Sequence, residues 1–430
     1  MTAETLAALR CGDLAGATTL RLTGCGLTEV PTEIFGLADT LEVLDLSGNA
    51  ITRLPDDLGR LKRLRVLFCS GNRFERLPPV LGDCAVLSQI GFRGSGLREI
   101  PAEALPPKLR WLTVTDNALE TVPEALGERP LLQKLMLSGN RLSHLPESLA
   151  NAPNLELLRL AANRFETLPS WLERLPRLAW LALAGTPVEI AVQPATMPIL
   201  WSTLAVGELL GEGASGRVHA ALWGEENRPV AVKLFKGAMT SDGLPGSEMA
   251  ACLAVGDHPN LAGGLGHLTG HPEGLEGLIM PRLAAHWQVL AGPPSLETCS
   301  RDVYDPALKL SADAVLKTAA DIGAGAARMH EAGLIHGDLY AHNIIWDGQH
   351  GEAVLSDFGA ASFPPPGHAP AFRRMDVLAW GILLGELIAR CDVGLPSALD
   401  ALREVCTQTD VMARPTMAEV LARLRRIGSG

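Results

Sequence analysis

The chain has 430 residues, 47% hydrophobic and 20% charged, which excludes a disordered chain and suggests two to three domains. Residues 1–200 hold 20 basic and 22 acidic side chains, and residues 201–430 hold 17 and 26. Neither half has the basic excess that phosphate-backbone binding needs, so no nucleic acid partner is expected. No run of 18 apolar residues is present, so no membrane span is expected. The first nine residues, with Glu4 and no basic stretch, do not read as a secretory signal. Eight scattered cysteines form no C-x-x-C pair, which predicts buried free thiols in a reducing compartment. Only seven lysines stand against thirty arginines, so a lysine inside a motif is less easily a chance occurrence.

In chain order, Thr2 to Arg10 is a candidate capping helix, with Leu6 and Leu9 on one face. A repeat follows. The segment LEVLDLSGN at Leu41 returns at Leu64, Leu87, Leu109, Leu132, Leu155 and Leu178, with a weaker first copy at Ala17. Spacings of 22 to 24 residues and the frame L-x-x-L-x-L-x-x-N mark leucine-rich repeats, which predict an α/β solenoid with a parallel strand per copy. Leucines at frame positions 1, 4 and 6 stack into a core. The ninth position is Asn49, Asn72, Asn117, Asn140 and Asn163, whose amide suits the backbone groups of the turn after each strand. Apolar-Pro pairs such as Val30-Pro31, Leu77-Pro78 and Leu145-Pro146 follow most copies. They resemble the short repeats of bacterial proteins and of plant intracellular Ras-group-related proteins. The odd frame positions place Phe68, Arg93, Trp111, Lys134, Met136, Leu157, Arg159 and Trp180 on a concave face whose aromatic and arginine content predicts a protein-binding surface.

Residues 187–204 carry three prolines and lose the frame, which marks a junction. The expected division is 1–190 for the repeats, 191–202 for the junction and 203–430 for a second domain. That domain opens on Leu210, Gly211, Glu212, Gly213, Ala214, Ser215, Gly216 and Val218. A glycine loop alone is a weak signal, since dinucleotide-binding turns share it, but those lead straight into a helix. Here strand-like residues follow, then Val230-Ala231-Val232-Lys233. Further along come Glu248 in a helical stretch, the apolar Leu278-Ile279-Met280, then His336-Gly337-Asp338 with Asn343, Asp357-Phe358-Gly359, Asp376 to Gly381, and Arg414-Pro415.

That order resembles a eukaryotic-type protein kinase, an α+β two-lobed domain over about residues 203–427, and the whole chain is similar to bacterial cytosolic leucine-rich-repeat kinases. The resemblance implies a serine/threonine kinase of the cytoplasm that uses ATP and magnesium in signal transduction. It implies that residues 210–216, Val218, Ala231 and Met280 bind ATP, and that Lys233 holds its phosphates through an ion pair with Glu248. Asp338 would take the proton of the acceptor hydroxyl, and Asn343 and Asp357 would hold Mg2+. The chain departs from the family at four places. Gly337 stands where many kinases carry arginine, which argues against switching by loop phosphorylation, and Tyr340 replaces a lysine. Residues 360–375 are short, lack A-P-E and contain three consecutive prolines that favour an extended loop, and Arg414 lacks its usual glutamate. The glycine before Asp338 also resembles small-molecule phosphotransferases, and a nucleotide-binding scaffold is the non-enzymatic alternative.

Overall fold

The computed structural model describes residues 2–192, 194, 196–213, 215–237, 239–240 and 242–428. They form two compact units, Met1–Leu175 and Pro176–Gly430. Ala214 of the glycine loop lies outside the described residues.

The first unit begins with helix α1 (Thr2–Cys11), as the capping stretch predicts. Seven three-residue strands follow: β1 (Thr19–Arg21), β2 (Val43–Asp45), β3 (Val66–Phe68), β4 (Gln89–Gly91), β5 (Trp111–Thr113), β6 (Lys134–Met136) and β7 (Leu157–Arg159). Each pairs in parallel with the next without slippage, so Leu44, Leu67, Ile90, Leu112, Leu135 and Leu158 stack in one buried column. The apolar-Pro pairs have a clear task. Pro31, Pro78, Pro101, Pro123 and Pro146 each precede a short 3-10 turn with φ between −60° and −74°, the value that the pyrrolidine ring imposes.

The repeat asparagines form a ladder. Asn140 Oδ1 accepts the Leu119 N–H at 3.1 Å, and its Nδ2 donates to Val114 O at 3.0 Å and Leu137 O at 2.8 Å. Asn49, Asn72 and Asn163 repeat this pattern one copy apart. Asn140→Ala would strand three buried backbone groups, and a buried group left unpaired costs about 1–3 kcal/mol. The expected loss of stability is about 3 kcal/mol, read as a lowered urea midpoint.

The concave-face expectation needs correction at its end. Phe68, Trp111 and Met136 are half-buried and Arg93 is exposed, with Lys134 Nζ 4.2 Å above the Trp111 ring. Arg159 is only 2% exposed and Trp180 only 1%, so neither belongs to an open surface. Strand β7 is buried at all three positions, unlike β5 and β6, which leave alternate residues half-open.

The second unit starts with the eighth repeat strand, β8 (Trp180–Ala182). A mixed sheet follows, from β9 (Pro198–Leu200), β10 (Leu204–Glu212), β11 (Gly216–Trp223), β12 (Arg228–Phe235), β13 (Gly266–Thr269) and β14 (Gly277–Pro281), in the order β10-β11-β12-β14-β13-β9. Strand β9 comes from the stretch expected to be a bare junction. It pairs in parallel with β13 and contributes Ile199 to the core of Val230, Val232, Leu268 and Ile279. Helix α2 (Pro245–Val255) accompanies this sheet.

The remainder is mainly helical: α3 (Ala312–Glu331), α4 (Ala369–Ile388), α5 (Ser397–Thr407) and α6 (Met417–Gly428), beside a small sheet of β15 (Gln288–Val289), β16 (Ile344–Trp346) and β17 (Ala353–Leu355). Ser311 caps α3 by accepting the Ala314 N–H at 3.2 Å. Helix α4 starts at Ala369, inside the segment expected to be an extended loop, with Pro370 in its first turn where no amide partner is lost. All eight cysteines are free thiols, and five are buried as expected, whereas Cys11 is exposed. Among the described residues no helix is long and apolar enough to cross a membrane.

Candidate active site

A cavity of about 580 Å³ opens between the mixed sheet and the helical part of the second unit. Leu210, Gly211, Gly213, Ser215 and Gly216 line one wall, Val218, Ala231 and Met280 another, and Lys233, Glu248 and Asp357 converge in it. Strand register explains the apolar wall: Ala231 of β12 sits directly opposite Met280 of β14, and Val218 of β11 opposite Lys233. At Gly216 a Cβ would fall 2.5 Å from Leu234 O, so the strand behind the loop admits only glycine there. Glu212 is not among the lining residues. Its carboxylate is taken by Lys236 at 2.8 Å and Arg217 at 3.3 Å.

Lys233 Nζ donates to Glu248 Oε1, and the two side chains are 14% and 4% exposed. Burial alone would push the Lys233 ammonium down, but the Glu248 carboxylate more than reverses this and holds it above its ordinary value. Glu248 itself is pushed up, by burial first, against the opposing pull of Lys233. The ammonium therefore stays charged at neutral pH.

Asp338 and Asn343 form an adjoining cluster outside the cavity lining. Asn343 Nδ2 donates to Asp338 O at 2.8 Å and to Asp338 Oδ2 at 2.9 Å. Asp338 N–H points at His336 Nδ1, 3.2 Å away. The cluster is joined to Asp357 through the preceding residue, since both Ser356 N and Ser356 Oγ donate to Asn343 O at 2.8 Å. Asp357 has φ of +57°, rare for a side-chain-bearing residue, and its Oδ1 accepts the Gly359 N–H at 3.1 Å.

Sequence motifs named Asp376 but gave it no task. Its carboxylate, on α4, accepts the His336 N–H at 2.9 Å and the Gly337 N–H at 3.0 Å, with His330 Nε2 2.9 Å away. Burial opposes its charge, yet the His330 hydrogen bond and these donors bring the carboxyl below its ordinary value. A second pair, His342 with Asp302 at 2.7 Å, carried no sequence signal because its members lie forty residues apart. Burial works against the His342 cation, but Asp302 outweighs it and raises the imidazole.

Arg414 is buried, which rules out a surface role. Its guanidinium meets carbonyls instead of a glutamate: Gln408 O at 2.9 Å, Pro176 O at 2.6 Å and Arg374 O at 3.4 Å. Burial lowers its pKa to about 10, which leaves it charged at neutral pH.

Comparison with known proteins agrees with both halves. Residues 16–74, 107–165 and 130–188 match the leucine rich repeat family, and residues 204–364 match the protein tyrosine and serine/threonine kinase family. A probable serine/threonine-protein kinase of Dictyostelium discoideum is 26% identical over 268 residues, covering 52% of this chain and 16% of that protein. The probable serine/threonine-protein kinase SIS8 of Arabidopsis thaliana is 25% identical, covering 53% and 25%. The tyrosine-protein kinase Abl of Drosophila melanogaster is 26% identical, covering 54% and 16%. The chain thus spans at most a quarter of the length of these relatives. By fold, motif order and these matches, the chain carries leucine-rich repeats followed by a protein kinase domain.

Proposed function

We propose that the protein is an ATP- and magnesium-dependent kinase that phosphorylates serine or threonine hydroxyls of proteins in the cytoplasm, with its repeats recruiting the substrate or tuning activity. The observation that carries this reading is the buried Lys233–Glu248 pair in the wall of a cavity shared with Asp357 and the glycine loop. A buried ammonium facing a cavity, beside backbone amides and glycines, suits a polyphosphate.

In this reading Val218, Ala231 and Met280 enclose the adenine, and Lys233 meets the phosphates as a point charge oriented by Glu248. Both N–H groups of the Asn343 amide go to Asp338, so its carbonyl oxygen is the atom not spent there. With the Asp357 carboxylate it makes an oxygen donor set that fits magnesium, which when bound neutralises charge on the transferring group. Asp338 orients the acceptor hydroxyl and takes its proton as the new phosphorus–oxygen bond forms and the bond to the β-phosphate oxygen breaks. The repeats are assigned to residues 1–190 and the kinase domain to 203–430, although residues 176–189 pack within the second unit. The exposed Arg93 and half-buried Phe68, Trp111 and Met136 support protein binding by the repeats.

The test is acid hydrolysis of protein labelled by the intact chain with γ-labelled ATP and magnesium. Phosphoserine or phosphothreonine is expected. Label confined to phosphotyrosine, or to no protein at all, would refute the acceptor class.

A further inference from the structure

The eighth repeat does not present its strand outward. In a solenoid the residue at Trp180 faces the open concave side, yet here its ring stacks on Tyr340, with centroids 4.0 Å apart and planes 9° from parallel. Its Nε1 donates to Leu339 O at 3.0 Å, the carbonyl directly after Asp338. One residue before Asp338, Gly337 has φ of +68°, and a Cβ there would lie 2.2 Å from Leu181 O and 3.0 Å from Ala360 O. The backbone of β8 therefore occupies the space that any side chain at position 337 would need.

The same repeat grips the neighbouring segment. Glu189 accepts the Gly185 N–H at 2.7 Å and the Phe363 N–H at 3.1 Å, and Ile190 N–H donates to Phe363 O at 3.0 Å. Pro176 O is held by Arg414. Ser362, the hydroxyl residue of the segment, is 1% exposed and its backbone pairs with Ile335. A phosphate-transferring enzyme could not reach it without opening this packing.

We propose that residues 176–189 are a built-in positioning element of the catalytic loop, with Trp180 as its principal positioning residue. This rests on the reading of Asp338 as the group that takes the acceptor proton, and deepens it. The Leu339–Tyr340 peptide, one residue beyond Asp338, cannot rotate without breaking the Trp180 hydrogen bond, and Tyr340 cannot swing without unstacking. The carboxylate is thus pre-set by permanent packing. An arginine–phosphate contact made after loop phosphorylation has no place here, because position 337 is closed and Ser362 is enclosed. Phosphate transfer is accordingly independent of prior phosphorylation of this segment.

The test uses the full chain with Trp180→Phe, which keeps most of the stacking and removes the donor. Trp180→Ala removes both, and the phenylalanine variant decides if the alanine variant does not fold. Hydrogen exchange of the amides of residues 337–343 should quicken by about fivefold, the scale of one buried hydrogen bond. In steady state kcat should fall by a similar factor while KM for ATP stays unchanged, because Trp180 does not line the nucleotide cavity. Phosphatase treatment of the wild type should leave its rate unchanged. The proposal is overturned if exchange and kcat are unaffected in Trp180→Phe. It is also overturned if exchange rises throughout the second unit with KM for ATP rising in step, or if phosphatase treatment abolishes activity. A wild-type chain that transfers no phosphate would instead sink the reading of Asp338, and the exchange result would still decide what Trp180 holds.

Discussion

Asp338→Asn in the intact chain is expected to slow phosphate transfer by about 10³-fold, in the middle of the range for removing a general base. The variant is nearly isosteric, and the Asn343 amide can still donate to the position 338 side chain and carbonyl. Only the capacity to accept a proton is lost. ATP affinity should hardly move, because Asp338 stands outside the lining of the nucleotide cavity. Single-turnover rates alongside equilibrium ATP binding separate the two effects. A variant that transfers phosphate at the wild-type rate would remove Asp338 from the chemistry.

Asp376→Ala should be the most damaging substitution for stability. The carboxylate is 1% exposed on a helix otherwise packed through Met375, Val377, Leu378 and Trp380. It satisfies two backbone N–H groups at the turn into Asp338 and faces His330. Removing one partner of such a buried charged network costs about 3–5 kcal/mol. The pH dependence has a definite sign. The folded carboxyl titrates below its ordinary value, so its contribution is full above the unfolded pKa of about 4 and disappears as pH falls through the folded value. Urea midpoints measured down a pH series should therefore fall through acid pH in the wild type. The Asp376→Ala midpoint should start lower and lack that component. Equal midpoints at pH 7 would show that the turn is held by other groups.

Much of the fold could be read from spacing. A period of about 23 residues places a leucine or isoleucine at the same position of every strand, and that period survives as an unbroken register from β1 to β7. The separation of fifteen positions from Lys233 to Glu248 was likewise legible, and the strand lysine and helix carboxylate do meet in the cavity. The concave face was legible only in part. Alternation along a strand says which face Arg159 and Trp180 belong to, but not that both are buried. Strand β9 was hidden because three prolines read as a junction, and its pairing with β13 is a long-range event. Arg414 had no readable partner for a related reason: its usual glutamate is missing, and the three carbonyls that satisfy the buried guanidinium leave no mark in a motif. Asp376 was visible only as the first residue of the Asp376 to Gly381 motif, and its backbone partners lie about forty residues back in the chain.

The most direct test is a crystal structure of the full chain with a non-hydrolysable ATP analogue and magnesium. The expected result is adenine against the wall of Val218, Ala231 and Met280, phosphates against Lys233, and the metal on Asn343 and Asp357. A nucleotide bound elsewhere, or a triphosphate that avoids Lys233 and Asp357, would contradict the phosphoryl-transfer site described above.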